Sequence, residues 1–197
     1  KKKLGAGAIG WALVLALIGY ASGDLRRSTL GVTQWSPYYQ IDVWPGGGTT
    51  GEWVGYSIFA NQTYHQYAFD FSGATANSPT VNQARAIYEL PYRLPRPREV
   101  LVVGAGSGNE VAVALGHGVE RVDAVEIDPV IGEMGRWLHP HTPYLDARVR
   151  LTIDDARSFF HKSDARYDLI VFGYLDAHRL LSSFSSVRLD NFIYTLE

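Results

Sequence analysis

The feature that most limits the fold of this chain is an alternation that begins after Arg98. Short apolar runs cover residues 100–103, 121–127, 149–153 and 169–172, and helix-like stretches separate them. Residues 109–115 and 157–161 read as helices, and Pro129 opens another. Strands alternating with helices imply right-handed crossovers and a parallel sheet, so an α/β fold is expected. Each run also ends on a glycine or a polar group. The first meets Gly104-Ala105-Gly106-Ser107-Gly108, the second Glu126 and Asp128, the third Asp154 and Asp155, and the fourth Gly173 followed by Asp176 and His178. Ligands of such sheets bind outside the carboxyl ends of the strands.

The first two ends fit a nucleoside. A strand, a tight glycine turn and a helix start bring backbone N–H groups close to a ligand, and an acid about 20 residues further on holds ribose hydroxyls. Glu126 is that acid, and Asp155 stands at the next strand end. The plainer alternative is a glycine turn with a solvated Glu126, and Asp154 and Asp155 also fit helix N-caps. Residues 5–10, "GAGAIG", match the same G-x-G-x-x-G pattern without a preceding strand, so they carry no dinucleotide reading.

Those six residues lie in an uncharged run, residues 4–21, between Lys1-Lys2-Lys3 and Asp24, Arg26 and Arg27. The run is long enough for one transmembrane helix and too long for most signal-peptide cores, although Ala21-Ser22-Gly23 resembles a cleavage site. Its glycines suit packing against other membrane helices. A membrane-attached protein with its soluble part in the cytoplasm is therefore expected.

Residues 34–71 alternate aromatic and β-branched positions with polar ones, interrupted at Pro45-Gly46-Gly47-Gly48 and at Asn61-Gln62-Thr63. This predicts a small antiparallel β-meander, followed by a helix over 81–88 and a proline-rich linker. Three segments result: a transmembrane helix with its flanks over 1–27, the meander and linker helix over 28–97, and the nucleoside-binding domain over 98–197.

The motifs "EVLVVGAGSGNEVAVAL", "VDAVEIDPVI", "DARVRLTIDDARSFF" and "YDLIVFGYLDA" resemble the successive motifs of the spermidine synthase family of polyamine aminopropyltransferases. Upstream, "SPYYQIDVW" and "FANQTYHQYAFD" resemble that family's first strands. The resemblance implies a Rossmann-like sheet of the S-adenosylmethionine-dependent transferase type. It implies that Gly104, Gly106 and Gly108 line the pocket of S-adenosylmethionine or its decarboxylated form. Glu126 would hold the ribose hydroxyls, Asp155 and the Ala156 backbone the adenine, and Gln40 and Gln66 the thioether or ribose side.

The same resemblance marks two departures. The acid that the family uses as general base aligns with Gly173, and the one that holds the donor's amine aligns with Ser107; the family's second acid remains as Asp176. A positioned base contributes about 10²–10⁴-fold to a rate, so aminopropyl transfer is the function these departures most affect. Asp176 is the catalytic candidate that remains, with His178 as an orienting partner. No G-x-S-x-G elbow supports a hydrolase.

Composition removes further classes. A net charge of −2 gives no reason to expect nucleic acid, and the absence of cysteine excludes disulfides and thiolate metal sites. His139-Pro140-His141 lacks the spacing of a metal site, so no metal is expected. Four strands make a short parallel sheet with an apolar edge, which predicts either a fragment of a longer chain or a partner on the fourth strand. Two alternatives stand beside the transferase: a catalytically silent subunit of a membrane-protein complex or oligomer, and an S-adenosylmethionine-dependent methyltransferase.

Overall fold

The computed structural model describes residues 31–93 and 96–173. Alternation in the first half builds a four-stranded sheet in the order β1 (Val32–Trp35), β2 (Gln40–Gly47), β3 (Trp53–Ala60) and β4 (Thr63–Phe69). β2 and β3, and β3 and β4, pair antiparallel. Asn61 and Gln62 both take positive φ, 48° and 66°, as a tight hairpin turn requires. The strand expected to break at Pro45 instead continues to Gly47, because the proline stands next to a register shift at Gly46/Gly47, where its missing N–H is tolerated. Ser78 caps α1 (Pro79–Tyr88) by accepting from the Val81 N–H.

The second half forms a parallel sheet in the order β7 (Val149–Ile153), β6 (Arg121–Glu126), β5 (Glu99–Val103), β8 (Leu169–Phe172). Helices α2 (Asn109–Gly116), α3 (Pro129–Trp137) and α4 (Ala156–Lys162) connect its strands. Strand β5 is apolar on both faces because both are covered. Val100 and Val102 join Val111 and Ala114 of α2 on one side, and Leu101 and Val103 meet Ala156 and Phe159 of α4 on the other. The meander packs through Ile41, Val43 and Ile58 on Ile131 and Met134 of α3. Apolar burial of this kind is worth roughly 25 cal/mol per Å² and ties the two sheets together. Among the described residues β8 pairs with β5 alone, and Ile170 and Phe172 are exposed.

The structure does not bear out the expected membrane localisation. Among the described residues no helix is long and apolar enough to cross a membrane. The longest, α1, has 10 residues, whereas a span needs about 20 at 1.5 Å per residue. Residues 4–21, on which that expectation rested, lie outside the described residues.

Candidate functional site

The chain leaving β5 turns immediately across the end of β6. The N–H groups of Gly104 and Ala105 both donate to the Val125 carbonyl at 2.9 Å. Gly106 (φ +56°) and Gly108 (φ +104°) then hold left-handed conformations, and Gly108 becomes the N-cap of α2 without a side-chain bond. The turn is held from below by Tyr144, which is buried and donates its hydroxyl to the Ala105 and Gly106 carbonyls at 3.0 and 2.8 Å.

Glu126 ends β6 with only 7% of its surface exposed. One carboxylate oxygen accepts from the Gly106 N–H at 2.7 Å and the other from the Asp128 N–H at 2.9 Å. Burial raises the Glu126 pKa, and those two backbone bonds oppose the rise. Asp128, itself buried, caps α3 through the Val130 and Ile131 N–H groups and accepts from the Ser36 hydroxyl at 2.5 Å. The loop before β2 is therefore tied to the end of β6.

Gln66, on β4, reaches the turn from the other sheet. Its side-chain oxygen accepts from both the N–H and the hydroxyl of Ser107, each at 3.1 Å. The amide lies over Gly106 so closely that a Cβ there would stand 2.6 Å from the Gln66 oxygen. Asn109 positions this strand: its amide donates to the Tyr67 carbonyl at 2.6 Å, and its oxygen accepts from the Phe69 N–H at 2.9 Å. His139 completes the bridge. Because the Asn109 oxygen can only accept, His139 Nε2–H donates to it at 3.1 Å, and Nδ1 accepts from the His141 N–H. Burial first, and His141 next, hold the His139 pKa down at about 3.

Gln66, Gly104, Gly106 and Glu126 thus meet around one turn, with Gly108 at its far end. Asp155 stands at the next strand end, where the Asp154 N–H donates to the Glu126 carbonyl at 3.1 Å. Asp155 is exposed and caps α4 by accepting from the Ser158 N–H at 3.1 Å; Ala156 is the first residue of that helix. The Gln40 amide donates to Asp42 at 3.2 and 3.3 Å. Asp176 lies outside the described residues. Gly173 follows β8, its N–H donates to the Val103 carbonyl at 2.8 Å, and a Cβ on it would stand 2.4 Å from the Gly104 carbonyl oxygen.

Ser36, Asn109, Tyr144, His139 and Glu110 were missed by sequence reasoning. Only Asp128-Pro129 carried a local signal, an N-cap followed by proline at the first helical position. Glu110, in the first turn of α2, is pushed up to about 7 by burial and, after that, by the Glu126 charge. A separate surface groove of about 370 Å³, lined by Asp123, Arg150, Asp154, Lys162 and Tyr167 among others, includes none of Gln66, Gly106, Glu126 or Asp155. Among the described residues no group of three His, Cys, Asp or Glu side chains is placed to hold a metal.

The model of the spermine/spermidine synthase domain matches residues 82–196, well over half of the chain. This chain belongs to the spermine/spermidine synthase family. Its curated relatives include a polyamine aminopropyltransferase of Thermoplasma volcanium, 30% identical over 86 residues, which are 42% of this chain and 32% of that one. They also include putrescine N-methyltransferase 2 of Nicotiana attenuata, 33% identical over 85 residues, 41% of this chain and 23% of that one. The chain therefore spans a third or less of the length of these relatives. Among solved structures, the spermidine synthase of Thermotoga maritima matches with a TM-score of 0.55 at 20% identity, over 73% of this chain and 48% of that one. A spermidine synthase in complex with the transition-state analogue AdoDATO matches with a TM-score of 0.54 at 20% identity, over 72% and 45%. The shared fold joins an antiparallel meander to a Rossmann-like parallel sheet, as the family motifs imply.

Proposed function

We propose that the cleft at the carboxyl ends of β5, β6 and β7 binds an S-adenosyl nucleoside, S-adenosylmethionine or its decarboxylated form, as the group donor of a transferase. The observation that carries this reading is Glu126. It is a carboxylate kept in a dry site by two backbone N–H groups, and its charged form is left short of partners by burial. A ribose diol offers two O–H donors, and charge-assisted bonds of this kind are about twice as strong as neutral ones. Adenine then lies toward β7, where Asp155 and the Ala156 N–H are available, and the sulfonium and its tail lie toward β5 and β8.

The chemistry such a donor supports is displacement at a carbon bonded to sulfur. An acceptor nitrogen forms the new N–C bond, the C–S bond breaks, and the thioether leaves with the electron pair while the nitrogen's proton passes to a base. Gly173 offers no base at the end of β8. We assign that role to Asp176, three residues further along.

Calorimetric titration with 5′-methylthioadenosine, which has the ribose and adenine but no amino-acid tail, tests the site. Glu126→Ala should weaken binding by about thirtyfold or more, with a far-ultraviolet spectrum unchanged from the parent. Binding that survives the substitution, or its absence in the folded parent, overturns the reading.

A further inference from the structure

The sheet face that α4 covers is left open at its β7 edge. Helix α4 has only 7 residues and packs over β5 through Ala156 and Phe159. On β6 and β7, Asp123, Arg150 and Thr152 form the floor of a groove walled by the connection over 163–167, with Asp123 and Arg150 opposite each other in the strand register. Its volume, about 370 Å³, falls within the roughly 300–1,000 Å³ of small-molecule sites. A second hollow of about 260 Å³ shares Asp123, Arg150 and Ala165 with it, so the depression runs on toward Arg121 and Arg148. It lies at the edge of the sheet opposite to β8.

The charges of this groove do not cancel. Arg121 is held by Glu99 at 2.8 Å, Arg148 by Asp146 at 2.7 Å and Lys162 by Asp154 at 2.8 Å. Three charged groups are left over. Arg150, exposed, has no hydrogen-bond or ion-pair partner among the described residues, and neither has Asp164 on the wall. Asp123 is only 8% exposed. One of its oxygens accepts from the Tyr167 hydroxyl at 2.8 Å and stands 3.7 Å from Arg121 Nε, beyond hydrogen-bond reach; the other has no partner among the described residues. A buried carboxylate with a single neutral donor is short of positive charge, and a free guanidinium presents a planar fork that fits a carboxylate. A plain anion would meet the two acids, and a plain diamine would meet Arg150. A ligand with one negative and two positive groups matches all three. We propose that this groove binds a basic α-amino acid, its carboxylate on Arg150 and its two cationic groups on Asp123 and Asp164, at a site separate from the nucleoside cleft and independent of what that cleft binds.

Calorimetric titration with three probes tests the site: L-lysine, L-lysinamide, which lacks the carboxylate, and L-norleucine, which lacks the side-chain ammonium. The parent should bind L-lysine about tenfold more tightly than either of the others, the effect of losing one charge-assisted bond. Arg150→Gln should abolish the preference for L-lysine over L-lysinamide. Because Arg150 is exposed and makes no printed contact with another side chain, its replacement should leave the far-ultraviolet spectrum of the parent unchanged. L-lysine binding that is absent from the folded parent, that is no tighter than that of L-lysinamide or L-norleucine, or that stays equally selective in Arg150→Gln overturns the proposal. None of these outcomes bears on the binding of 5′-methylthioadenosine, which tests the nucleoside cleft.

Discussion

The ends of β6 and β8 sit on either side of β5 and are built in opposite ways. At β6 a buried acid is gripped by two backbone N–H groups and backed by Asp128 and Ser36, which belong to two different segments. At β8 the strand ends on a glycine whose α-carbon is packed against the backbone of the glycine turn. At the first end the main chain supplies the donors that hold the acid, so its geometry follows the course of the fold. The second depends on a side chain in this family's pattern, and here none projects from Gly173. In the function proposed above, ligand holding and group transfer fall to separate strand ends, so one could change without the other.

The sharpest way to break that comparison is to restore an acid at β8. Gly173→Asp places a Cβ 2.4 Å from the Gly104 carbonyl oxygen, a backbone atom that cannot swing aside. Overpacking of this kind should cost about 2–3 kcal/mol in chemical denaturation, with no gain in amine-dependent transfer. A variant as stable as the parent and newly active would show that the β8 end has only lost a residue.

A smaller effect probes how dry the β6 side is. Glu110 rises from 4.5 to about 7, so between those values the native state holds a proton that the unfolded chain has released. Stability from this group therefore falls as pH rises from about 4.5 to 7. His139, lowered from 6.5 to about 3, acts in the other sense, and its contribution is lost as pH falls from about 6.5 toward 3. The two slopes oppose each other between pH 4.5 and 6.5. Glu110→Gln should remove one of them, so that its stability rises with pH from 5 to 7 relative to the parent by about 2 kcal/mol. Parallel denaturation curves at pH 5, 6 and 7 measure this, and an unchanged difference would mean that the floor beneath the turn is wet.

The smallest effect concerns Asp155. As the N-cap of α4 it should cost about 1 kcal/mol on replacement by Ala and little on replacement by Ser. If Asp155→Ser keeps stability yet weakens methylthioadenosine binding, Asp155 contacts the ligand as well as capping the helix. If both variants bind as the parent does, its role ends at the cap.

Much of the fold was legible because strand and helix periods and turn residues are local properties. Strands Val149–Ile153 and Leu169–Phe172 were read with their observed limits, and the hairpin at Asn61-Gln62 followed from its turn residues. Pro45 was misread because its tolerance comes from a register shift against β3, which involves residues distant in sequence. The glycine turn and Glu126 were recognisable from their spacing. Gln66 was placed by resemblance alone, and its bond to Ser107 spans 41 positions. Asn109 and His139 had no signal, since a buried polar bridge is a matter of which atoms meet.

The sequence by itself determined the order of elements, the parallel sheet and the acid at the end of β6, because hydrophobic period and spacing act over a few residues. Tertiary structure decided which way the Gln66 amide points, how little room remains at Gly173, and how deeply Glu126 is buried. Those properties arise when two sheets pack against each other, and they depend on desolvation and contact between segments that no local pattern encodes.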